Sequence, residues 1–140
     1  MLKVAVIGAG SISGAHIDGY LRFGSRCEVV AVSDIYVEKA QEKINRYGLR
    51  AAAVKDYREL LDKDIDLVSV CTPPYTHAPI TVDFLRAGKH VIVEKPMASS
   101  LQECDLMNEA ARTSGKILSV VAQNRFKTPI MNLKSILEPV

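Results

Sequence analysis

Apolar residues in this chain arrive as short runs, separated by stretches in which they recur every three or four positions. The runs are KVAVI (3–7), EVVAVS (28–33), RAAAV (50–54), DLVSVC (66–71), HVIVE (90–94) and ILSVV (117–121). Most are nearly continuous in apolar character and rich in β-branched residues, which reads as strands covered on both faces. The stretches between them carry helix signals. Val37, Ala40, Ile44 and Tyr47 fall on one helical face, with Gly48 as the stop. Asp56 and Glu59 are spaced as a capping box ahead of Leu60 and Leu61. Ser100 and Glu103 are spaced the same way ahead of Cys104, Met107 and Ala111, with Gly115 beyond. Thr76 reads as the cap of a helix with Pro79 in its first turn. Thr128 reads as the cap of a last helix that starts at Pro129, presents Ile130, Leu133 and Leu137 on one face, and ends at Pro139. Strand and helix alternate along the whole chain, so the pattern predicts an α/β fold: one domain over residues 1–140, a doubly wound parallel sheet of about six strands.

Composition narrows the function classes. A length of 140 residues suits a single domain with its own core. The formal net charge of +2 gives no electrostatic case for nucleic acid. No apolar segment reaches the ~20 residues of a membrane span, and the first apolar run meets glycine too soon for a signal peptide. Cys27, Cys71 and Cys104 are odd in number and widely spaced, which fits reduced core residues rather than a zinc or thiol-exchange pair. These features together predict a cytoplasmic protein.

Candidate chemistry begins at VAVIGAGSISGAH, residues 4–16. The first strand ends at Ile7 and a helix starts near Ile12, so GAGSIS is a strand-to-helix turn. Gly8 permits the tight turn, and Gly10 lacks the Cβ that would keep a pyrophosphate from the backbone. The helix start, with Ser11 and Ile12, offers free N–H groups and the positive end of the helix dipole. Ser13 stands where a third glycine would allow close helix–strand packing, and it is small enough to serve. Gly14, one place later, reads as added slack. Asp34, beside Ile35 at the end of the second strand, lies at the distance expected of an acid that accepts hydrogen bonds from the adenosine ribose. Its other reading is a cap for the next helix. As a ribose ligand it would repel a 2′-phosphate, and neither Ile35 nor Tyr36 supplies a compensating charge, so the expected cofactor is NAD rather than NADP.

Two later strand ends face the same crevice, because ligands of doubly wound sheets sit beyond the carboxyl ends of the strands. CTPPYTHAPI brings Thr72, Pro73 and His77 there, and GKHVIVEKPMASS brings Glu94 and Lys95. His77 has two open readings, a cofactor contact or a packed cap. His16 and His90 read as structural. Lys95 is the candidate catalytic residue: a lysine beside a positive cofactor and partly desolvated can take the proton of a hydroxyl as hydride leaves. The competing reading is a surface lysine paired with Glu94. Lys95–Pro96 is also where a cis peptide bond is expected, since X-Pro bonds adopt it at little cost.

With GAGSISGAH, SDIY, CTPPYTH, EKPMA and QNRF in this order, the chain resembles the Gfo/Idh/MocA oxidoreductases, the family of glucose–fructose oxidoreductase and inositol 2-dehydrogenase. The resemblance implies NAD-dependent hydride transfer with a sugar, cyclitol or related polyol. It places Lys95 beside the nicotinamide and substrate hydroxyl, and it adds Gln123, Asn124 and Arg125 to the nicotinamide and sugar side. It further implies a second domain beyond Val140 that completes the sugar pocket, so the 140 residues alone are expected to bind NAD without turnover. Apolar surface near the last helix would then favour self-association into a homo-oligomer. Two alternatives stand beside this reading: a non-catalytic NAD-binding module or regulator, and an NAD-dependent glycoside hydrolase.

Overall fold

The structure, a computed structural model, describes residues 1–137. Six strands form one parallel sheet: β1 (Leu2–Ile7), β2 (Cys27–Ser33), β3 (Ala52–Val54), β4 (Leu67–Val70), β5 (His90–Val93) and β6 (Leu118–Val120). Their spatial order is β3-β2-β1-β4-β5-β6. The chain winds outward from β1 in one direction and from β4 in the other, which makes the β1/β4 seam the point where the winding reverses. Helices α1 (Ser13–Arg22), α2 (Val37–Tyr47), α3 (His77–Arg86) and α4 (Leu101–Ser114) make the crossovers, and α5 (Thr128–Leu137) follows β6. Between β3 and β4 the crossover is a short 3-10 turn, Tyr57–Leu60, rather than a full helix.

The period-two alternation of β1 divides the core. Val4 and Val6 face the layer with Ile17 and Tyr20 of α1 and Ala40 and Ile44 of α2. Ala5 and Ile7 face the opposite layer with Phe84 and Leu85 of α3 and Met107 and Ala110 of α4. Covered on both sides, Val4, Ala5 and Val6 are wholly buried. The edge strands depart from that expectation, because no residue of β3 or β6 is fully buried. Each is an edge strand with one neighbour in the sheet.

Local signals explain the element ends. Gly48 and Gly115 stop α2 and α4 at φ 61° and 66°. Asp56 and Glu59 form the reciprocal capping box, on the 3-10 turn. Ser100 caps α4 through Glu103 N, while Glu103 reaches Ser99 N instead of closing the box on Ser100. Thr76 does not cap α3 with its side chain, because its hydroxyl turns back to Thr72 Oγ1 and Pro73 O, each at 2.7 Å. Thr128 lies within α5 rather than before it, and the stop expected at Pro139 falls outside the described residues. Cys71 is buried while Cys27 and Cys104 are half-buried, and all three are free thiols.

Two buried acids link this core to pH. Burial, aided by the nearby Glu94 charge, pushes the Cys71 thiol up to about 12. Burial likewise raises the Tyr20 phenol to about 12, against the opposing effect of its bond to Ser69. In the unfolded chain these groups ionise near their ordinary values of 9.0 and 10.0. The folded state therefore keeps protons that the unfolded state loses, and stability present below pH 9 falls as pH rises towards 12. Urea unfolding should show a falling midpoint from pH ~8 to ~10.5, with a shallower fall between ~9 and ~10 in Cys71→Ala. A flat profile over that range would contradict the assignment.

Candidate functional site

The turn after β1 is built around one close approach. Gly8 sits at φ +94°, and a Cβ there would lie 2.8 Å from the carbonyl carbon and oxygen of Cys71. Its amide donates to Ser33 O at 2.7 Å, and Cys71 N donates to Ile7 O at 2.7 Å, so the ends of β1, β2 and β4 close on a residue without a side chain. Gly10 is different, because a Cβ there would meet nothing within 4 Å. The fold itself does not require glycine at this position; what glycine gives is open access to the main chain. Ser13 is fully buried and donates its hydroxyl to Gly10 O at 2.6 Å. Gly14 is no slack residue, since its Cβ would lie 2.6 Å from the Tyr47 hydroxyl of α2.

α1 begins without a side-chain cap and without an acid in its first turn. Among the described residues the amides of Gly10, Ser11 and Ile12 have no hydrogen-bond acceptor. These donors, with the dipole end of α1, make a site that suits an anion. Asp34 braces them from β2. Its Oδ2 accepts from Ala9 N at 2.8 Å and its Oδ1 from Tyr36 N at 3.0 Å. It does not cap α2, whose N-cap is Tyr36. Each carboxylate oxygen keeps a lone pair for a further donor.

A cleft of about 870 Å³ runs over this seam. Gly8, Gly10, Ser11, Ile12, Asp34, Ile35, Thr72 and Pro73 all line it. Sequence reasoning missed its aromatic and cationic walls. Tyr36, Tyr57 and Tyr75 line the cleft, as do Lys39, Lys55 and Arg58. The available signal was large apolar side chains in turns, because Ile35, Tyr36 and Tyr75 are all exposed. These cations share the cleft with Asp34, where the sequence reading weighed only its neighbours Ile35 and Tyr36 as sources of charge. Arg58 carries its own counter-charge, however: its guanidinium lies 3.3 Å from Asp56 Oδ2. The Arg58 N–H, and then that guanidinium, hold the Asp56 carboxyl below its usual range. Lys39 rests 4.6 Å from the centre of the Tyr36 ring.

The remaining candidates stand apart from the cleft wall. Lys95 is exposed, lies two residues beyond β5 and just before a cis Lys95–Pro96 bond, and its ammonium forms no ion pair among the described residues. Glu94 does not pair with that ammonium and does not face the cleft as expected. It is 6% exposed, accepts from Lys95 N through Oε2 at 3.1 Å, and lies 2.9 Å from His16 Nε2 through Oε1. His77 is also turned inward, 1% exposed, with its ring nitrogens each 2.8 Å from a carbonyl oxygen, of Pro96 and of Thr72. The physical reason is the same for both: a polar side chain carried into the interior must find polar partners, and these partners are in the protein. His90 accepts from Ile117 N at 3.0 Å and so links β5 to the start of β6. Gln123 and Arg125 sit on an exposed 3-10 turn, Gln123–Phe126, and do not line the cleft.

Comparison with known proteins agrees with this geometry. The Gfo/Idh/MocA model, an oxidoreductase family with an NAD-binding Rossmann fold, matches residues 2–122, and the chain belongs to that family. Inositol 2-dehydrogenase of Salmonella typhimurium is 32% identical over 139 residues, 98% of this chain and 41% of that protein. D-glucoside 3-dehydrogenase of Escherichia coli is 34% identical over 133 residues, 95% of this chain and 38% of that protein. Among solved structures, myo-inositol dehydrogenase from Lactobacillus casei in complex with NAD(H) and myo-inositol superposes with a TM-score of 0.89 at 33% identity, covering 98% of this chain and 41% of that one. The chain thus spans about two fifths of the length of the relatives it matches. No helix among the described residues is long and apolar enough to cross a membrane.

The two glycines separate fold from ligand. Gly8→Ala should cost roughly 1–3 kcal/mol or more, as a strained backbone does, seen as an early thermal transition. Gly10→Ala should leave that transition within ~2 °C while weakening dinucleotide binding at least ~tenfold, since its new methyl occupies only the ligand's space. Equal loss of stability in the two variants would show that Gly10 serves the fold.

Proposed function

We propose that this chain is the cofactor-binding part of an NAD-dependent dehydrogenase acting on a sugar, cyclitol or related polyol, with Lys95 handling the proton of the substrate hydroxyl. The observation that carries the reading is the uncapped turn at the sheet's reversal point, with its unmatched amides and the Asp34 carboxylate on one cleft. The amides of Gly10, Ser11 and Ile12 would hold the pyrophosphate, and the free lone pairs of Asp34 would take the ribose hydroxyls. Tyr36 and Ile35 offer the apolar surface that an adenine ring needs. The names of the relatives, dehydrogenases of inositols and glucosides, support the polyol class.

NAD, when bound, supplies the nicotinamide carbon that accepts hydride. Lys95 would then have two duties: to hydrogen-bond the hydroxyl and to hold its proton. An exposed ammonium without a carboxylate partner among the described residues is free to turn to substrate.

NAD should bind more tightly than NADP, because Asp34 repels a 2′-phosphate while Arg58 is already matched by Asp56. Calorimetric titration of both cofactors checks this, and equal or tighter NADP binding would mean that Lys39 and Lys55 outweigh Asp34. Saturation with NAD near ~100 times its Kd should also stabilise the fold by about 2.7 kcal/mol. In a dehydrogenase carrying this chain, Lys95→Ala should lower turnover ~10²–10⁴-fold with the NAD Kd within ~tenfold. Turnover within threefold of wild type (roughly the scatter of a surface change) would remove Lys95 from the chemistry.

A further inference from the structure

A line of side-chain hydrogen bonds runs from the α1 layer to the turn that carries Lys95. Tyr20 Oη lies 2.5 Å from Ser69 Oγ, Ser69 Oγ lies 3.1 Å from His16 Nδ1, and His16 Nε2 lies 2.9 Å from Glu94 Oε1. Glu94 Oε2 then accepts from the Lys95 amide at 3.1 Å. Tyr20, Ser69 and Glu94 are buried, and the His16 side chain is only 10% exposed. Strand alternation explains the meeting: Val68 and Val70 face the α3 and α4 layer, which leaves Ser69 of β4 under α1. None of these four groups lines the dinucleotide cleft.

One assignment of donors and acceptors satisfies the whole line. The Glu94 carboxylate can only accept, so His16 Nε2 must carry the hydrogen that faces it. In the tautomer with Nδ1 bare, His16 accepts there from the Ser69 hydroxyl, and Tyr20, whose phenol burial keeps protonated, can donate to Ser69. Every hydrogen in the line is used once. Glu94 is thereby held on one oxygen by His16 and holds the Lys95 main chain with the other. On the far side of the same turn, His77 meets the Pro96 carbonyl at 2.8 Å.

We propose that His16 is a positioning residue for Lys95, acting through Glu94: it fixes the carboxylate that fastens the Lys95 amide, and so sets where the ammonium can reach. The proposal rests on the reading of Lys95 as the proton-handling group. It asks of His16 a defined tautomer and of Glu94 two accepting oxygens, which a merely space-filling histidine would not need.

The test uses the 140-residue chain with isotope-labelled histidine and lysine, NAD as the probe, and nuclear magnetic resonance as the readout. His16 should show hydrogen on Nε2, and the Lys95 amide should exchange slowly although the residue is exposed. In His16→Leu that amide should exchange at least ~tenfold faster, the scale of one lost charge-assisted hydrogen bond. His16→Gln, whose amide can donate to Glu94 and accept from Ser69, should restore most of the protection. Should His16→Leu fail to fold, Glu94→Leu removes both acceptors in place and should free the Lys95 amide in the same way. NAD affinity should stay within ~threefold in all variants. The terminal carbon of Lys95 should shift on adding NAD in wild type and His16→Gln, and not in His16→Leu. The opposite tautomer, or Lys95 exchange indifferent to His16→Leu and Glu94→Leu, overturns the proposal. A wild-type Lys95 signal blind to bound NAD would instead overturn the role of Lys95, while amide exchange still decides whether His16 fastens the turn.

Discussion

The whole arrangement depends on how closely the main chain of Gly8 lies against the carbonyl of Cys71. At 2.8 Å from where a Cβ would stand, β1 and β4 meet with no room for a side chain. That contact lets the chain leave β1 in a tight turn directly above the point where the sheet reverses its winding. From it follow the uncapped start of α1, the reach of Asp34 to Ala9, and the cleft that spans both. Backbone contact is a stricter constraint than side-chain packing, because no rotamer change can relieve it.

A second constraint lies beneath the first. The layer under α1 is apolar at Val4, Val6 and Ile17, yet Ser69, Tyr20, His16 and Glu94 place a polar line through it. Such a line is stable only when every member is satisfied, and here every member is. Glu94 thus couples the core to the turn of Lys95, and its charge contributes to the raised Cys71 thiol. The first half of the chain supplies an anion site made of main chain; the second supplies an exposed lysine on a turn fastened from within.

Much of this was legible from residue patterns. The six strands stood out because buried parallel strands are continuous apolar runs, and Gly48 and Gly115 marked helix ends by their chemistry. Gly8, Gly10 and Asp34 were legible because a turn, a ligand-sized space and an acid at fixed spacing form a local pattern. What the sequence could not show was side-chain direction at strand ends. Glu94 and His77 are near the crevice in sequence, but the pleat and the α3 start turn them inward. The cations of the cleft were hidden for another reason: Lys55 and Arg58 reach it across β3, and Lys39 from α2. Gly14 was misread because its partner, Tyr47, is far away in the chain.

The central claim is that the turn from Gly10 to Ile12 is an anion site made of unmatched amides. Titrating the isotope-labelled chain with ADP-ribose, which carries the pyrophosphate and adenosine but no nicotinamide, tests it most directly by nuclear magnetic resonance. The account predicts that the amides of Gly10, Ser11 and Ile12 move most, with Asp34 and its partners Ala9 and Tyr36 next, and that Lys95 stays still. Perturbations centred away from this turn, or none at concentrations that saturate NAD, would contradict it.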